Sequence, residues 1–400
     1  MRTATAAMPG LFAAMILVAI APWPASAETG LSGSSGSSER EPREADRTEP
    51  ADRIERRRGL SVLEGRIVAM DETAITIRSA ETRATHTVRW DLVRTVRTER
   101  SEPRLEQWLD LGERLWRART RLERGDVLLA EPLLQELFDE WRGRTDEAAL
   151  IAAEGLLRCR LARGDQAGGV LPALEVIRLS RADVSTDAYR AMPRIVDDRR
   201  EVIPGLPPRW LAAPGDLVLV GELGSYDARG DQVVAEMAAL YRVLAARQVG
   251  RELDEQERRR SREAVDHPGL ELLRAMVEAD DPDRDRREAA RQWIERELPD
   301  AEGWREAWLR FQLGHTWVNE EGTGRRQRGM VQLLHLPARF SGTQPYLSGL
   351  AVEQARTTAA ALGMDELAER LREQMERDFT HHPVRQQGRR DEVLSRAEAR

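Results

Sequence analysis

The sequence contains no lysine, a single cysteine and few aromatic residues, and each shortage excludes a class of chemistry. All 62 basic residues are arginine, which excludes P-loop lysines, Schiff-base catalysis and kinase-type active sites. The lone Cys159 cannot form an intrachain disulfide or supply several thiolates to a zinc ion. Aromatic residues make up 5% of the chain and charged residues 33%, a balance that favours charged-faced helices over a β-sandwich.

The charge balance and the short apolar runs restrict the partners. The chain has 69 acidic residues and a formal net charge of −7 at pH 7. Affinity for nucleic acid comes largely from clustered positive charge, so we expect no nucleic-acid partner. No run after the N-terminus approaches the ~20 apolar residues of a membrane helix, so we expect no membrane span in the mature chain. No metal-binding or cofactor motif is present, so we expect neither group.

The first 27 residues have the three parts of a secretory signal peptide. Arg2 supplies the positive charge, residues 11–21 form an apolar run, and Ala25, Ser26 and Ala27 form an A-x-A cleavage site. An uncleaved anchor is the alternative, but this run is too short to span ~30 Å of hydrocarbon as a helix. The sequence therefore predicts a periplasmic or secreted protein.

Changes in composition divide the rest of the chain. A Gly/Ser-rich and then charged stretch predicts a disordered linker. From Leu60 to Arg97 the apolar residues alternate, which predicts a small antiparallel β module whose Trp90 packs on the following helices. The module resembles an SH3-like or Sm-like barrel. The predicted organisation is a signal peptide (1–27), a linker (28–58), the β module (59–100), helical hairpins (101–191), a Pro-rich crossover (192–230), a second helical region (231–379) and a polar tail (380–400).

Two helical pairs share the same turn. Residues 124–126 and 163–165 both read Arg-Gly-Asp, 39 residues apart, and small residues follow each glycine at the same distance, namely Ala130 and Gly169. These features resemble tetratricopeptide repeats, although Leu157 stands where that family has a small residue. The resemblance implies a mainly α fold, an α-solenoid of helical hairpins behind the β module. It also implies a scaffold that binds other proteins.

The resemblance also suggests a binding groove. Aligning the two turn glycines places Arg119 and Arg158 at equivalent positions, on the helix that lines the concave surface in tetratricopeptide repeats. There the two arginines would bind an acidic segment or a C-terminal carboxylate of a protein or peptide partner. The alternative is a pair of solvated arginines bound to Glu123 and Glu154.

Other candidate sites have a structural explanation that we favour. Cys159 is interpreted as a packed helical cysteine, the aromatic stripe in residues 304–315 as a core face, and the Gly- and Arg-rich residues 322–328 as a solvated loop. We therefore predict an exported, non-enzymatic scaffold. A carbohydrate-active or carbohydrate-binding envelope protein is the alternative.

Cleavage of the signal peptide gives the first testable prediction. N-terminal sequencing of the protein recovered from the cell envelope should begin at Glu28, because cleavage follows the A-x-A sequence. A chain that retains Met1 in the cytosol would contradict the prediction.

Overall fold

A computed structural model of the protein describes residues 52–212, 215–253 and 265–385. Within them the chain is mainly helical and a five-stranded antiparallel sheet precedes the helices, as predicted. The predicted signal peptide, the linker up to residue 51 and tail residues 386–400 lie outside the described residues. The strands are β1 Asp52–Arg56, β2 Leu63–Met70, β3 Ala74–Ser79, β4 Thr85–Arg89 and β5 Val93–Arg97. The helices are α1 Leu105–Glu123, α2 Val127–Trp141, α3 Glu147–Ala162, α4 Gln166–Arg181, α5 Asp216–Gly224, α6 Gln232–Gln248, α7 Pro268–Glu278, α8 Arg284–Glu297, α9 Gly303–Val318, α10 Thr323–Arg339, α11 Pro345–Ala361 and α12 Asp365–Asp378.

The sheet has the strand order β4-β3-β2-β1-β5 and includes a strand that the sequence reading missed. Strand β1 lies in the predicted linker 28–58, so that boundary is wrong. Its single apolar residue, Ile54, is fully buried, and its charged neighbours point to the other face. Strand β1 pairs with both β2 and β5, so a segment with one apolar residue becomes central to the sheet.

Helix α1 belongs to the sheet core and to the helical core. Trp90 stacks on Trp108 of α1 with ring centroids 5.4 Å apart, which confirms the prediction that Trp90 packs on the helices. A side chain at Gly112 would place its Cβ 2.4 Å from the Trp90 carbonyl oxygen. The absence of a side chain there lets the helix approach the sheet. Beyond this glycine, Leu115 and Leu122 of the same helix join the helical core.

A buried charge cluster lies at the same junction. Asp91, in the short 3₁₀ helix before β5, is 2% exposed and accepts a hydrogen bond of 2.7 Å from Arg119 of α1. Arg89 donates to the same carboxylate at 2.9 Å and also to Glu147 of α3. Burial lowers the pKa of Arg89, but the hydrogen bonds and charges of Asp91 and Glu147 outweigh it and raise that pKa above its usual value. The cluster therefore ties the sheet to two helices.

The two Arg-Gly-Asp turns close their helices in the same way. The amide of Asp126 donates to the carbonyl of Arg121 and that of Asp165 to the carbonyl of Arg160, both at 2.9 Å. The intervening glycines have φ of 84° and 72°, the left-handed conformation of this helix termination. The predicted turns are confirmed, and α1 to α4 pack one against the next along the chain.

The Pro-rich crossover 192–230 is only partly irregular. It contains α5, which the sequence reading missed because Leu217 and Val218 are exposed and break the apolar helical period. The segment before α5 is buried, and its carbonyls accept hydrogen bonds from side chains. Pro204 accepts from Trp308 at 3.2 Å and Leu206 from Tyr241 at 3.3 Å. Side-chain donors thus satisfy a backbone whose prolines prevent a regular ladder.

Within the described residues the second helical region is helical, but the predicted tail begins too early. None of the described helices combines the length and apolar character needed to cross a membrane. His382 is buried and its Nε2 lies 2.9 Å from the carbonyl oxygen of Tyr346. Pro383 contacts Gly164, in the turn before α4. The contacts of His382 and Pro383 therefore hold residues 380–385 on the fold, and these residues do not form a free polar tail.

The charge cluster at the junction gives a stability prediction. Asp91→Asn should lower the free energy of unfolding by about 3–5 kcal/mol, because it removes the buried counter-charge of Arg119 and leaves that guanidinium only the partly exposed Glu123 at 3.5 Å. Chemical denaturation measures this loss. The matched control is Asp187→Asn, whose side chain is 72% exposed and 3.9 Å from Arg89; it should change the stability by less than about 1 kcal/mol. Equal losses in both variants would contradict the prediction.

Candidate functional site

The structure does not leave Arg119 available to a ligand. Its side chain is 2% exposed, and it is bound to Asp91 at 2.7 Å and close to Glu123 at 3.5 Å. The prediction that Arg119 lines an open groove is therefore wrong. The helical register was correct, but the sequence did not show that the β module covers this face of α1.

Arg158 is also occupied by groups of its own chain. It donates to Glu154 at 2.9 and 2.5 Å and to the carbonyl of Pro193 at 2.9 Å, and its guanidinium lies 5.4 Å from the centroid of the Tyr189 ring. Its side chain is 10% exposed and borders a cleft of about 780 Å³. The predicted pairing with Glu154 is present. Arg158 is therefore not free to bind a partner.

The segment that follows α4 covers the helix face that was predicted to be the groove. Tyr189 is buried and donates to the carbonyl of Ile151 in α3 at 3.0 Å. A Cβ at Gly155 would lie 2.4 Å from the Tyr189 hydroxyl, so this glycine makes room for the ring. The chain itself therefore occupies the place that the resemblance would give to a peptide.

Two further candidates have the structural roles that we favoured. Cys159 is fully buried, and burial together with the charge of Glu131 raises the pKa of its thiol to about 12, so it stays protonated and unreactive at neutral pH. Trp308 and Phe311 are fully buried in the helical core. The stripe in residues 304–315 is therefore a core face, as predicted, except that His315 reaches a second cleft.

This second cleft, which we call the arginine cleft, lies between α6, α8, α9 and α10. Its volume is about 1050 Å³, and seven arginines and five carboxylates line it. The excess of arginine contrasts with the net charge of −7 of the whole chain. Within the described residues, no group of three or more His, Cys, Asp or Glu side chains is arranged to hold a metal ion.

The floor of the arginine cleft is a set of ion pairs. Arg209 of the crossover binds Asp280, which follows α7, and Arg247 of α6 binds Asp281 at 2.6 Å. Their side chains are 15% and 25% exposed. Each floor arginine thus already has a carboxylate, and the pairs hold the crossover and α6 against the end of α7.

His315 on the floor is uncharged at neutral pH. Burial, and then the charge of Arg209, lower its pKa to about 4, although Asp280 and a hydrogen bond to Gln354 act in the opposite direction. Its Nε2 lies 3.1 Å from the side-chain amide nitrogen of Asn319, which can only donate. Its Nδ1 lies 3.1 Å from the Gln354 amide oxygen, and its Nε2 lies 3.5 Å from Asp280 Oδ1.

One wall of the arginine cleft joins three helices. Arg291 of α8 binds Glu320, which follows α9, and Glu288 of its own helix at 2.7 Å. Arg325 of α10 binds the same Glu320 at 2.8 Å. Three buried polar atoms among the lining residues have no hydrogen-bond partner, namely Arg209 Nε, Arg291 Nε and Gln248 Oε1. Such atoms are uncommon in folded proteins, and here they border an open cleft.

The rim carries the arginines that are free to meet a ligand. Arg284 on α8 and Arg328 on α10 both line the cleft, both are exposed, and neither has a carboxylate partner within the described residues. A guanidinium binds a carboxylate or phosphate through two parallel hydrogen bonds. The arrangement therefore suits an anionic ligand that reaches across from one helix to the other.

The sequence held a signal for this site that was not used. Arg284, Arg287 and Arg291 are spaced by three and four residues, which places them on one helix face. Residues 322–328 were predicted to be a solvated loop. The structure shows that α10 begins at Thr323, so that prediction is wrong, and Arg325 and Arg328 point into the cleft from its first turns.

Comparisons with known proteins found no relative. No protein-family model, no curated protein and no solved structure matches the chain. The site is therefore argued from its own geometry.

The buried imidazole gives a pH prediction. The pKa of His315 is lowered in the folded protein, so its contribution to stability is complete above the unfolded value of about 6.5 and is lost as the pH falls towards 4. We expect a loss of about 2–3 kcal/mol in the free energy of unfolding from this group. When urea unfolding is compared at pH 7 and pH 4.5, the His315→Gln variant should lack this loss in the free energy of unfolding. An NMR titration of His315 with a midpoint near 6.5 would contradict it.

Proposed function

We propose that the protein is a non-enzymatic binding scaffold that takes an acidic segment of a partner protein in the arginine cleft. One observation carries the proposal. Arg284 and Arg328 are exposed and unpaired on two different helices that face the same cleft. The floor arginines are neutralised by Asp280 and Asp281, so a ligand gains most from the two rim side chains.

The size and breadth of the cleft favour a peptide segment over a single small anion. The lining spans helices from α6 to α10, and its two free guanidiniums stand on separate helices. A ligand with several anionic groups can meet both. An acidic segment with several carboxylates has this chemistry.

The architecture supports the scaffold as a proposal. The recurrent helix turn 39 residues apart, and helices that pack in chain order from α1 to α4, are consistent with a tetratricopeptide-like solenoid. In the sheet, β5 pairs with β1 and follows a 3₁₀ helix, which is consistent with an SH3-like module. Export to the periplasm or medium stays a proposal that rests on the signal sequence in residues 1–27.

The aromatic stripe in residues 304–311 gives the carbohydrate alternative little support. Sugars commonly stack on exposed aromatic faces, but the aromatic side chains of Trp308 and Phe311 are fully buried. Trp304 is half-buried and packs edge-on against Trp308 with centroids 4.9 Å apart. These rings stabilise the core.

The proposal is tested with a fluorescent polyglutamate peptide whose binding is followed by anisotropy. Arg284→Ala combined with Arg328→Ala should weaken binding at least tenfold, because a charge-assisted contact contributes about 1.5–3 kcal/mol. Binding should also weaken with salt. Unchanged affinity in this variant would overturn the assignment of the cleft.

A matched control separates the cleft from general charge. Arg296 on α8 and Arg370 on α12 are exposed and lie outside the cleft. Replacing both by Ala removes the same charge and should leave affinity within about twofold, since screened surface charges act weakly at a distance. Equal losses in the two double variants would show non-specific attraction and refute a specific site.

A further inference from the structure

The outer face of the small sheet carries arginines that directly oppose one another. The inner face is built from isoleucines such as Ile67 and Ile77, which are fully buried. On the outer face Arg66 of β2 lies opposite Arg78 of β3. Both are exposed, and neither has a carboxylate partner within the described residues. Like charges directly opposite each other destabilise an antiparallel pair.

A second arginine pair extends this face. Arg53 of β1 lies opposite Arg97 of β5, whose side chain is 74% exposed. Glu55 and Glu64 are on the same face. Glu55 lies 3.7 Å from Arg53 and 3.9 Å from Arg97, and Glu64 lies 3.8 Å from Arg53, so the unpaired arginines of the face are Arg66 and Arg78. Two glutamates therefore accompany four arginines, and the excess positive charge stands on a chain whose net charge is −7.

Exposed apolar side chains flank the arginines along β2. The register of β2 on β3 shifts between Ile67 and Ala69, so Val68 has no cross-strand partner of its own and is 39% exposed. Such a bulge redirects a side chain. Val62, which directly precedes β2, is 40% exposed. The face thus combines arginines with an exposed valine side chain at Val68.

We propose that this outer sheet face, defined by Arg53, Arg66, Val68, Arg78 and Arg97, docks on a membrane surface that contains anionic phospholipid. Guanidinium groups bind headgroup phosphates through paired hydrogen bonds, and apolar side chains beside them enter the boundary between headgroups and acyl chains. Guanidiniums with an exposed apolar side chain between them match the two layers of a lipid surface, the headgroup phosphates and the acyl boundary. The arginine cleft is a separate site, so this proposal does not depend on it.

The test is sedimentation of the full chain with vesicles of phosphatidylglycerol and phosphatidylcholine. The chain should bind these vesicles and not vesicles of phosphatidylcholine alone. Arg66→Gln with Arg78→Gln should weaken binding at least tenfold, and Val68→Ser should weaken it severalfold. The arginine variant should keep or raise the melting temperature, because it removes a like-charge pair. Loss of binding with a lowered melting temperature in both variants would overturn the docking role.

Two controls distinguish the face from general charge and from a soluble ligand. Arg296→Gln with Arg370→Gln removes the same charge elsewhere and should leave vesicle binding within twofold. Dextran sulfate, a soluble polyanion, should compete only weakly because it offers no acyl boundary for Val68. The membrane assignment would be overturned if the chain did not bind the vesicles. It would also be overturned if Arg66→Gln, Arg78→Gln and Val68→Ser weakened binding of dextran sulfate as much as they weaken binding of vesicles.

Discussion

The buried carboxylate of Asp91 is the contact on which the arrangement of the sheet and the helices depends. Arg119 from α1 and Arg89 from β4 donate to it, and Arg89 continues to Glu147 at the start of α3. Charges removed from water require counter-charges with good geometry. The cluster therefore specifies one relative placement of the sheet and the first helices, whereas apolar packing alone tolerates several.

The sequence predicted the long periodic elements and missed the short or unusual ones. The helices that end at the two Arg-Gly-Asp turns were predicted, because their helical pattern and their turn residues agree. Strand β1 has one apolar residue, and α5 exposes Leu217 and Val218, so neither has a regular pattern. Burial of Arg119 could not be predicted either. It depends on the sheet covering α1, a contact between segments that the helical pattern does not connect.

The arginine cleft shows why candidate sites are harder to predict than elements. Its rim comes from α8 and α10, and its floor from the crossover and α6, so only the tertiary fold brings the guanidiniums together. Because the chain has no lysine, its basic residues all carry a planar guanidinium group with several N–H donors in fixed directions. One arginine can then hold two acceptors, as Arg291 holds Glu288 and Glu320, and a dense network of such forks leaves only a few arginines free.

The contact between Pro383 and Gly164 has a consequence for the order in which the chain folds. These residues are separated by most of the described chain, and the turn that contains Gly164 also lies against Tyr346. Contacts of such long sequence separation form late, because closing a long loop costs conformational entropy before the contacts between its ends contribute stability. The first helical pairs therefore receive their final cover only when the last helices are in place, and a chain still bound to the ribosome leaves this turn uncovered.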